Sequence, residues 1–210
     1  MLLWSRALGE FGTNCYIIAC PETRRAAVVD PGQPDPWIRS VVRSEGLQVE
    51  WILLTHGHLD HIAGVEWVRE WAGAPVLCHP DEVPYLQQPE LNLSALWGDP
   101  LPPIQPDRLV RDGEEVTVGR LRLRVLHTPG HTPGSISFYT PGHLLSGDAL
   151  FAGSIGRTDL PGGNLPLLLR SIRERIFSLP GETVVYPGHG PTTTVADEQE
   201  YNPFAGGHSG

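Results

Sequence analysis

Trp51-Ile52-Leu53-Leu54-Thr55-His56-Gly57-His58-Leu59-Asp60-His61 is the stretch from which the fold can be read. Its apolar head has the length and composition of a buried strand. His56 and His58 stand two apart, so in extended chain their imidazoles project to the same side and can share one cation. Asp60 and His61 follow on the turn, where they can ligate a second ion beside the first. Beyond them Ile62, Val65, Trp67 and Val68 supply one apolar face, which predicts a helix over residues 60–71 with Asp60 as its N-cap. A lone histidine is usually a hydrogen-bonded core or surface residue. Three histidines and an aspartate within six residues, at the carboxyl end of a strand, are instead a metal-binding pattern.

Three later segments end a β-like run with a further donor. Leu126-His127-Thr128-Pro129-Gly130-His131-Thr132-Pro133-Gly134 offers His131 in a turn whose prolines restrict the backbone. Leu144-Leu145-Ser146-Gly147-Asp148 leaves Asp148 at an apolar strand end, where an unpaired carboxylate is costly. Val184-Val185-Tyr186-Pro187-Gly188-His189-Gly190 repeats the design with His189. One Pro-Gly-His turn can be only a turn; four such strand ends in one chain indicate a convergent site.

The remaining sequence reads as an ordinary globular chain. Its 210 residues are 40% hydrophobic and 19% charged, enough for one sizeable core. Strand-like runs recur at residues 14–19, 26–30, 51–55, 75–78, 120–127, 135–140, 143–146 and 183–186. Amphipathic helices fit residues 35–44, 60–71 and 165–178. Helices among strands make the class α/β or α+β, in a single domain over residues 1–205. The Pro-rich stretch 99–106 suits a crossover between two halves, and residues 206–210, with an idle His208, read as a frayed tail. No apolar run reaches the ~18–20 residues of a membrane span, and the N-terminus lacks the pattern of a secretory signal.

A net charge of −9 argues against a nucleic-acid or membrane surface as partner. All 15 basic residues are arginine, which excludes a Walker A loop and a Schiff-base lysine. Cys15, Cys20 and Cys78 cannot make a disulfide framework and have no Cys-x-x-Cys spacing, as expected of small buried residues in a reducing cytoplasm.

The order Thr-His-x-His-x-Asp-His, Thr-Pro-Gly-His-Thr-Pro-Gly, Gly-Asp and Pro-Gly-His-Gly-Pro resembles the metallo-β-lactamase superfamily over residues 10–205. The stretch from Gly147 to Asp159, with the Pro187–Pro191 tail and Asn202-Pro203-Phe204, is similar to short, single-domain glyoxalase II-like proteins. That resemblance implies an αββα sandwich of two mixed sheets with helices outside. It implies that His56, His58 and His131 hold one divalent ion, that Asp60, His61 and His189 hold a second, and that Asp148 bridges them. Zinc is the expected metal, with iron or manganese as alternatives. The implied activity is hydrolysis of S-(2-hydroxyacyl)glutathione or a related small thioester by a hydroxide that the two ions activate, with Asp60 orienting it and carrying the proton. Longer members continue into a helical domain that supplies basic residues to glutathione, which this sequence does not contain; Asp159 stands where they have tyrosine.

Arg157, in a Gly-rich loop beyond Asp148, can grip a substrate carboxylate or else pair with Asp159. His79 and His127 are expected to orient metal ligands from behind. The main alternative is an Fe(II)-dependent glutathione persulfide dioxygenase, which would use one ion held by two of the histidines and Asp148. A serine hydrolase, suggested by Ala152-Gly153-Ser154-Ile155-Gly156, fails because the nucleophile elbow must open into a helix.

Overall fold

The computed structural model describes residues 1–207. Along the first half of the chain run β1 (Leu2–Leu8), β2 (Thr13–Ala19), β3 (Arg25–Val29), β4 (Gln48–Leu53), β5 (Val76–Cys78) and β6 (Arg108–Leu109), hydrogen-bonded in that order into one sheet. The β1–β2 and β2–β3 pairs are antiparallel, and β3 to β6 run parallel. The second half contributes β7 (Glu115–Val118), β8 (Leu121–His127), β9 (Ile136–Thr140), β10 (His143–Gly147), the hairpin β11 (Leu150–Phe151) and β12 (Ser154–Ile155), then β13 (Val184–Pro187) and β14 (Thr193–Thr194). The second sheet has the order β14-β13-β10-β9-β8-β7.

Side-chain alternation along the strands builds three apolar layers. In β2, Tyr16 and Ile18 point toward the second sheet and join Val29, Leu53, Val125 and Phe138 between the sheets. Cys15, Ile17 and Ala19 point the other way, onto Ile38, Val42, Ile62, Val65 and Val68. Those residues come from α1 (Pro36–Ser44), α2 (Leu59–Ile62) and α3 (Val65–Ala72). Behind the second sheet, Leu126, Leu144 and Val185 meet Leu168, Ile172, Ile176 and Val195. These lie on α5 (Leu165–Ser171) with its π-turn extension Ile172–Ile176, and on α6 (Val195–Tyr201); α4 (Val83–Gln87) follows β5 earlier in the chain. Helix, sheet, sheet, helix is the αββα sandwich expected from the sequence.

Several local expectations need correction. The helix over 60–71 is two helices, broken at Ala63-Gly64, where a Cβ on Gly64 would overlap the carbonyls of Gln33 and Pro31. Its N-cap is His58, not Asp60, which sits in the first turn with its side chain committed elsewhere. The 99–106 stretch leads into β6, so the chain crosses between sheets one element later, after Leu109. Gly206 and Gly207 are not frayed: their amides donate to the carbonyls of Asn202 and Gln199 at the end of α6. His208 lies outside the described residues. All three cysteines are buried and free. No helix among the described residues is long and apolar enough to cross a membrane.

Candidate metal centre

Strand direction places the site. Because β8 and β10 are each antiparallel to β9, and β10 is parallel to β13, these three strands end at the same edge of their sheet. The turn holding His131 follows β8, Asp148 follows β10 and His189 follows β13. The first sheet meets this edge where Ile136 N donates to Thr55 O and Thr13 bridges to His189. The segment after β4 thereby delivers His56, His58, Asp60 and His61 to the same place.

Seven side chains converge there in two clusters. In the first, His131 Nε2 lies 2.9 Å from His58 Nδ1 and 3.2 Å from His56 Nε2, with all three residues buried. In the second, Asp60 Oδ2 lies 3.5 Å from His61 Nε2 and 3.2 Å from His189 Nε2. Asp148 stands between them, with Oδ2 3.5 Å from His131 Nε2 and Oδ1 3.4 Å from His61 Nε2. These are the residues that the sequence singled out; donor atoms close enough to share an ion occur as His56-His58-His131, as Asp60-His61-His189 and as His56-His61-Asp148, and elsewhere as His79-Asp81-His127.

The surroundings fix which ring nitrogen faces the centre. His131 Nδ1 donates to the Arg157 carbonyl at 2.7 Å, and His189 Nδ1 donates to the Phe11 carbonyl at 3.2 Å. His61 Nδ1 lies 2.9 Å from Asp30 Oδ2, to which it donates. Each bond leaves Nε2 as a lone pair aimed inward. Burial, reinforced by the neighbouring imidazoles, holds His56 well below its ordinary pKa and lowers His58 to about 3, so both are neutral ligands. Burial opposes charge on His61, but Asp148 and Asp60 outweigh it and raise its pKa; burial likewise opposes charge on Asp60, but His61, His189 and Thr13 push its carboxyl far below the carboxylate range. His61 Nε2 and Asp148 Oδ1 are buried with no hydrogen-bond partner. Inward lone pairs at hydrogen-bond distance and buried donor atoms without partners are what divalent cations satisfy, so the residues fit two metal ions.

Supporting residues that the sequence reading missed come from distant positions. Thr13 Oγ1 donates to Asp60 Oδ2 at 2.7 Å and orients that carboxylate. Asp30, with φ of 48°, accepts from Thr55 N and Oγ1 as well as His61, tying the metal loop to the end of β3. Glu82 is fully buried and accepts from Gly57 N at 2.7 Å, Gly134 N at 2.8 Å and Thr132 Oγ1 at 2.6 Å. One carboxylate thus straps together the two turns that carry the first cluster. Burial, only partly offset by these donors, pushes its pKa up to about 7. The one local hint was Asp30, which ends a β-like run as the ligands do. Gly188 is required sterically, because a Cβ there would overlap Asp148 Oδ1.

Other expectations place differently. The Arg157 side chain is exposed, and Nε and Nη2 bond both oxygens of Asp159 at 2.8 and 2.7 Å; its carbonyl, not its guanidinium, touches a metal ligand. His79 and His127 do not orient the ligands. They stack on each other with centroids 4.3 Å apart, and His127 Nε2 holds the Pro133 carbonyl. Ser154 lies in β12, away from any helix start.

The sequence profile of the metallo-β-lactamase superfamily matches residues 8–189. This chain belongs to that superfamily. It is 40% identical to the probable metallo-hydrolase YqgX of Bacillus subtilis, over 98% of this chain and 99% of that one. It is 33% identical to the hydroxyacylglutathione hydrolase GloC of Haemophilus influenzae, over 92% and 93%. Among solved structures, BLEG-1 B3 metallo-β-lactamase superposes with a TM-score of 0.92 at 41% identity, covering 98% of this chain and 100% of that one. TTHA1623 in a di-iron-bound form gives 0.85 at 38%, over 96% and 99%; ETHE1 from Myxococcus xanthus gives 0.82 at 32%, over 98% and 85%. The protein is a metallo-hydrolase by family.

Proposed function

We propose that this protein is a thioesterase of the hydroxyacylglutathione hydrolase kind, cleaving S-(2-hydroxyacyl)glutathione or a related thioester at the paired clusters. The observation that carries this reading is the completeness of the second cluster. Asp60, His61 and His189 each have their own orienting partner, in Thr13, Asp30 and the Phe11 carbonyl. An oxygenase using one iron on a His-His-Asp face would not need them. Similarity to GloC supports the thioester as substrate, and similarity to ETHE1 keeps the persulfide dioxygenase as the reading to be tested against it.

Two divalent cations would acidify a shared water to near-neutral pKa and polarise the thioester carbonyl. Zinc is the proposed metal because imidazole and carboxylate donors suit it; iron is the alternative, given the di-iron-bound neighbour. Asp60 orients the attacking water and relays its proton: its carboxylate is held in place by Thr13 and is partly open to solvent. The new C–O bond forms as the C–S bond breaks, and the proton passes from the water through Asp60 to the departing sulfur. Arg157 receives a carboxylate on the thiol side by exchanging it for Asp159. The cytoplasm is the proposed compartment, where the three free thiols remain reduced.

The test is a paired assay on metal-loaded protein. S-lactoylglutathione should be hydrolysed with release of thiol and no oxygen uptake. Oxygen uptake with glutathione persulfide, and no thioester cleavage, would overturn the reading.

A further inference from the structure

Beside Asp60 a groove of about 470 Å³ opens between the β1–β2 turn, α2 and the 3-10 turn Ser94–Trp97. Leu8, Leu59 and Ala63 form its floor, and Phe11 and Trp97 stand on its rim in an edge-to-face pair with centroids 4.9 Å apart. Both aromatics are exposed, Phe11 at 44% and Trp97 at 61%. Two large aromatic surfaces left in water at the mouth of a catalytic centre cost hydration free energy that the fold does not recover, which marks them as a contact surface. Phe11 is also tied to the chemistry, because its carbonyl holds His189. The groove is therefore continuous with the second cluster.

Charge narrows the occupant. The ionisable residues lining the groove are Glu10, Asp60 and Asp99, and no arginine lines it. With Asp60 committed to the second cluster, Glu10 and Asp99 are the charges that would repel a carboxylate-bearing ligand group in the groove. At the other end of the centre the Arg157 carbonyl holds His131, while its exposed guanidinium is paired with Asp159 and could reach a ligand carboxylate only by exchanging that partner.

We propose that the Phe11–Trp97 groove is the acyl subsite, and that among 2-hydroxyacyl and related thioesters those with an uncharged acyl group whose chain beyond the carbonyl is apolar and longer than that of acetyl are preferred. The proposal rests on the thioesterase reading. A thioester lying across the two clusters places its thiol portion toward Arg157 and its acyl chain toward Asp60. The chain then covers the exposed faces of Phe11 and Trp97, and water leaves the mouth of the site.

The test uses the metal-loaded protein and acyl-N-acetylcysteamine thioesters from acetyl to octanoyl. Each methylene buried in the groove should raise kcat/KM about fourfold until it is full. Trp97→Ala should cut the octanoyl-to-acetyl ratio of kcat/KM at least tenfold, and Trp97→Phe should restore part of it. A succinyl thioester should be poorer than butyryl by tenfold or more, a gap that Asp99→Asn narrows. An unhydrolysable S-octyl thioether should bind, by calorimetry, tighter than the S-ethyl one, and Trp97→Ala should abolish the difference. If no thioester is cleaved but this thioether difference holds, the hydrolase reading fails and the apolar groove stands. The proposal is overturned by a flat acyl series with equal thioether affinities, by a chain-length effect on the thiol side alone, or by a dimer in sedimentation that buries Trp97.

Discussion

The two metal clusters share Asp148 and are built to different standards of enclosure. In the first, His56, His58 and His131 are at most 3% exposed. They leave two tight turns strapped together by Glu82. In the second, His61 is fully buried, but the Asp60 and His189 side chains are 20% and 29% exposed. Their partners, the Phe11 carbonyl and Thr13, come from the β1–β2 turn and the first residue of β2. Electrostatics follow the neighbouring carboxylates and not enclosure: His56 and His58 are held neutral by burial, whereas the carboxylates raise the pKa of the equally buried His61 and of His189 against the opposing effect of burial. The comparison teaches that the first cluster is enclosed, with His56 and His58 held neutral by burial. The second has histidines that hold protons more readily and is partly open to solvent.

The sharpest way to break that contrast is to strip the metals. Exhaustive chelation should abolish activity, serine-directed reagents should do nothing, and zinc, manganese or iron should restore turnover. Metal analysis during chelation should show two steps, the first ion lost leaving the His56-His58-His131 set filled. Refilling the second cluster should release protons, and its affinity should fall as pH drops through the raised pKa values of His61 and His189. His189→Ala should then retain one ion per chain. Loss of both ions in one phase would mean that the clusters act as a single unit.

Next in size is proton handling. Asp60→Asn, assayed with metal in excess, should lower kcat by ~10²–10⁴-fold with little change in KM. Because Asp60 is not the N-cap, its thermal midpoint should follow metal occupancy and not helix capping. An unchanged kcat with both ions measured in place would make Asp60 a ligand only.

Glu82 sharpens the comparison from the first cluster's side. Glu82→Gln keeps the shape but turns an NH₂ group toward a backbone N–H, losing a charge-assisted bond worth about 1.5–3 kcal/mol. At roughly 2–4 °C per kcal/mol, the thermal midpoint should fall by about 3–12 °C. The ion in the first cluster should be weakened more than the ion in the second. Equal weakening of both would make the strap a general stabiliser.

Arg157 carries the smallest expected effect. A charged hydrogen bond to a substrate carboxylate is worth about 1.5–3 kcal/mol, and the exposed Asp159 pair that it displaces is weak in water. Arg157→Ala should therefore cost at most about 3 kcal/mol in kcat/KM, mostly through KM and only for thioesters with a carboxylate on the thiol side. An equal loss for all thioesters would assign it to holding His131 through its loop.

The ligands were legible because each stands at the end of a recognisable strand, next to residues that force a turn. Period and punctuation are local, so the metal motif, eight strands (β2 to β5, β8 to β10 and β13) and the α1 and α5 helices could be placed from the chain alone, whereas β1 and β7 were not read. Thr13, Glu82 and the Phe11–Trp97 rim could not. Glu82 bonds residues 25, 50 and 52 positions away, and Thr13 bonds one 47 away, separations over which a sequence has no period. The N-cap at Asp60 misled for a related reason: aspartate suits a cap, but here its carboxylate is claimed by the metal cluster and Thr13. Thus the residue types and their spacing determined the donor set and the α/β or α+β class, since both follow from local period and strand ends, while the αββα sandwich was implied only by the resemblance to the metallo-β-lactamase superfamily. Only the tertiary structure decided which ring nitrogen faces the centre, which cluster is enclosed and which open, and that Arg157 rests on Asp159, because those depend on contacts between strands brought side by side from distant parts of the chain.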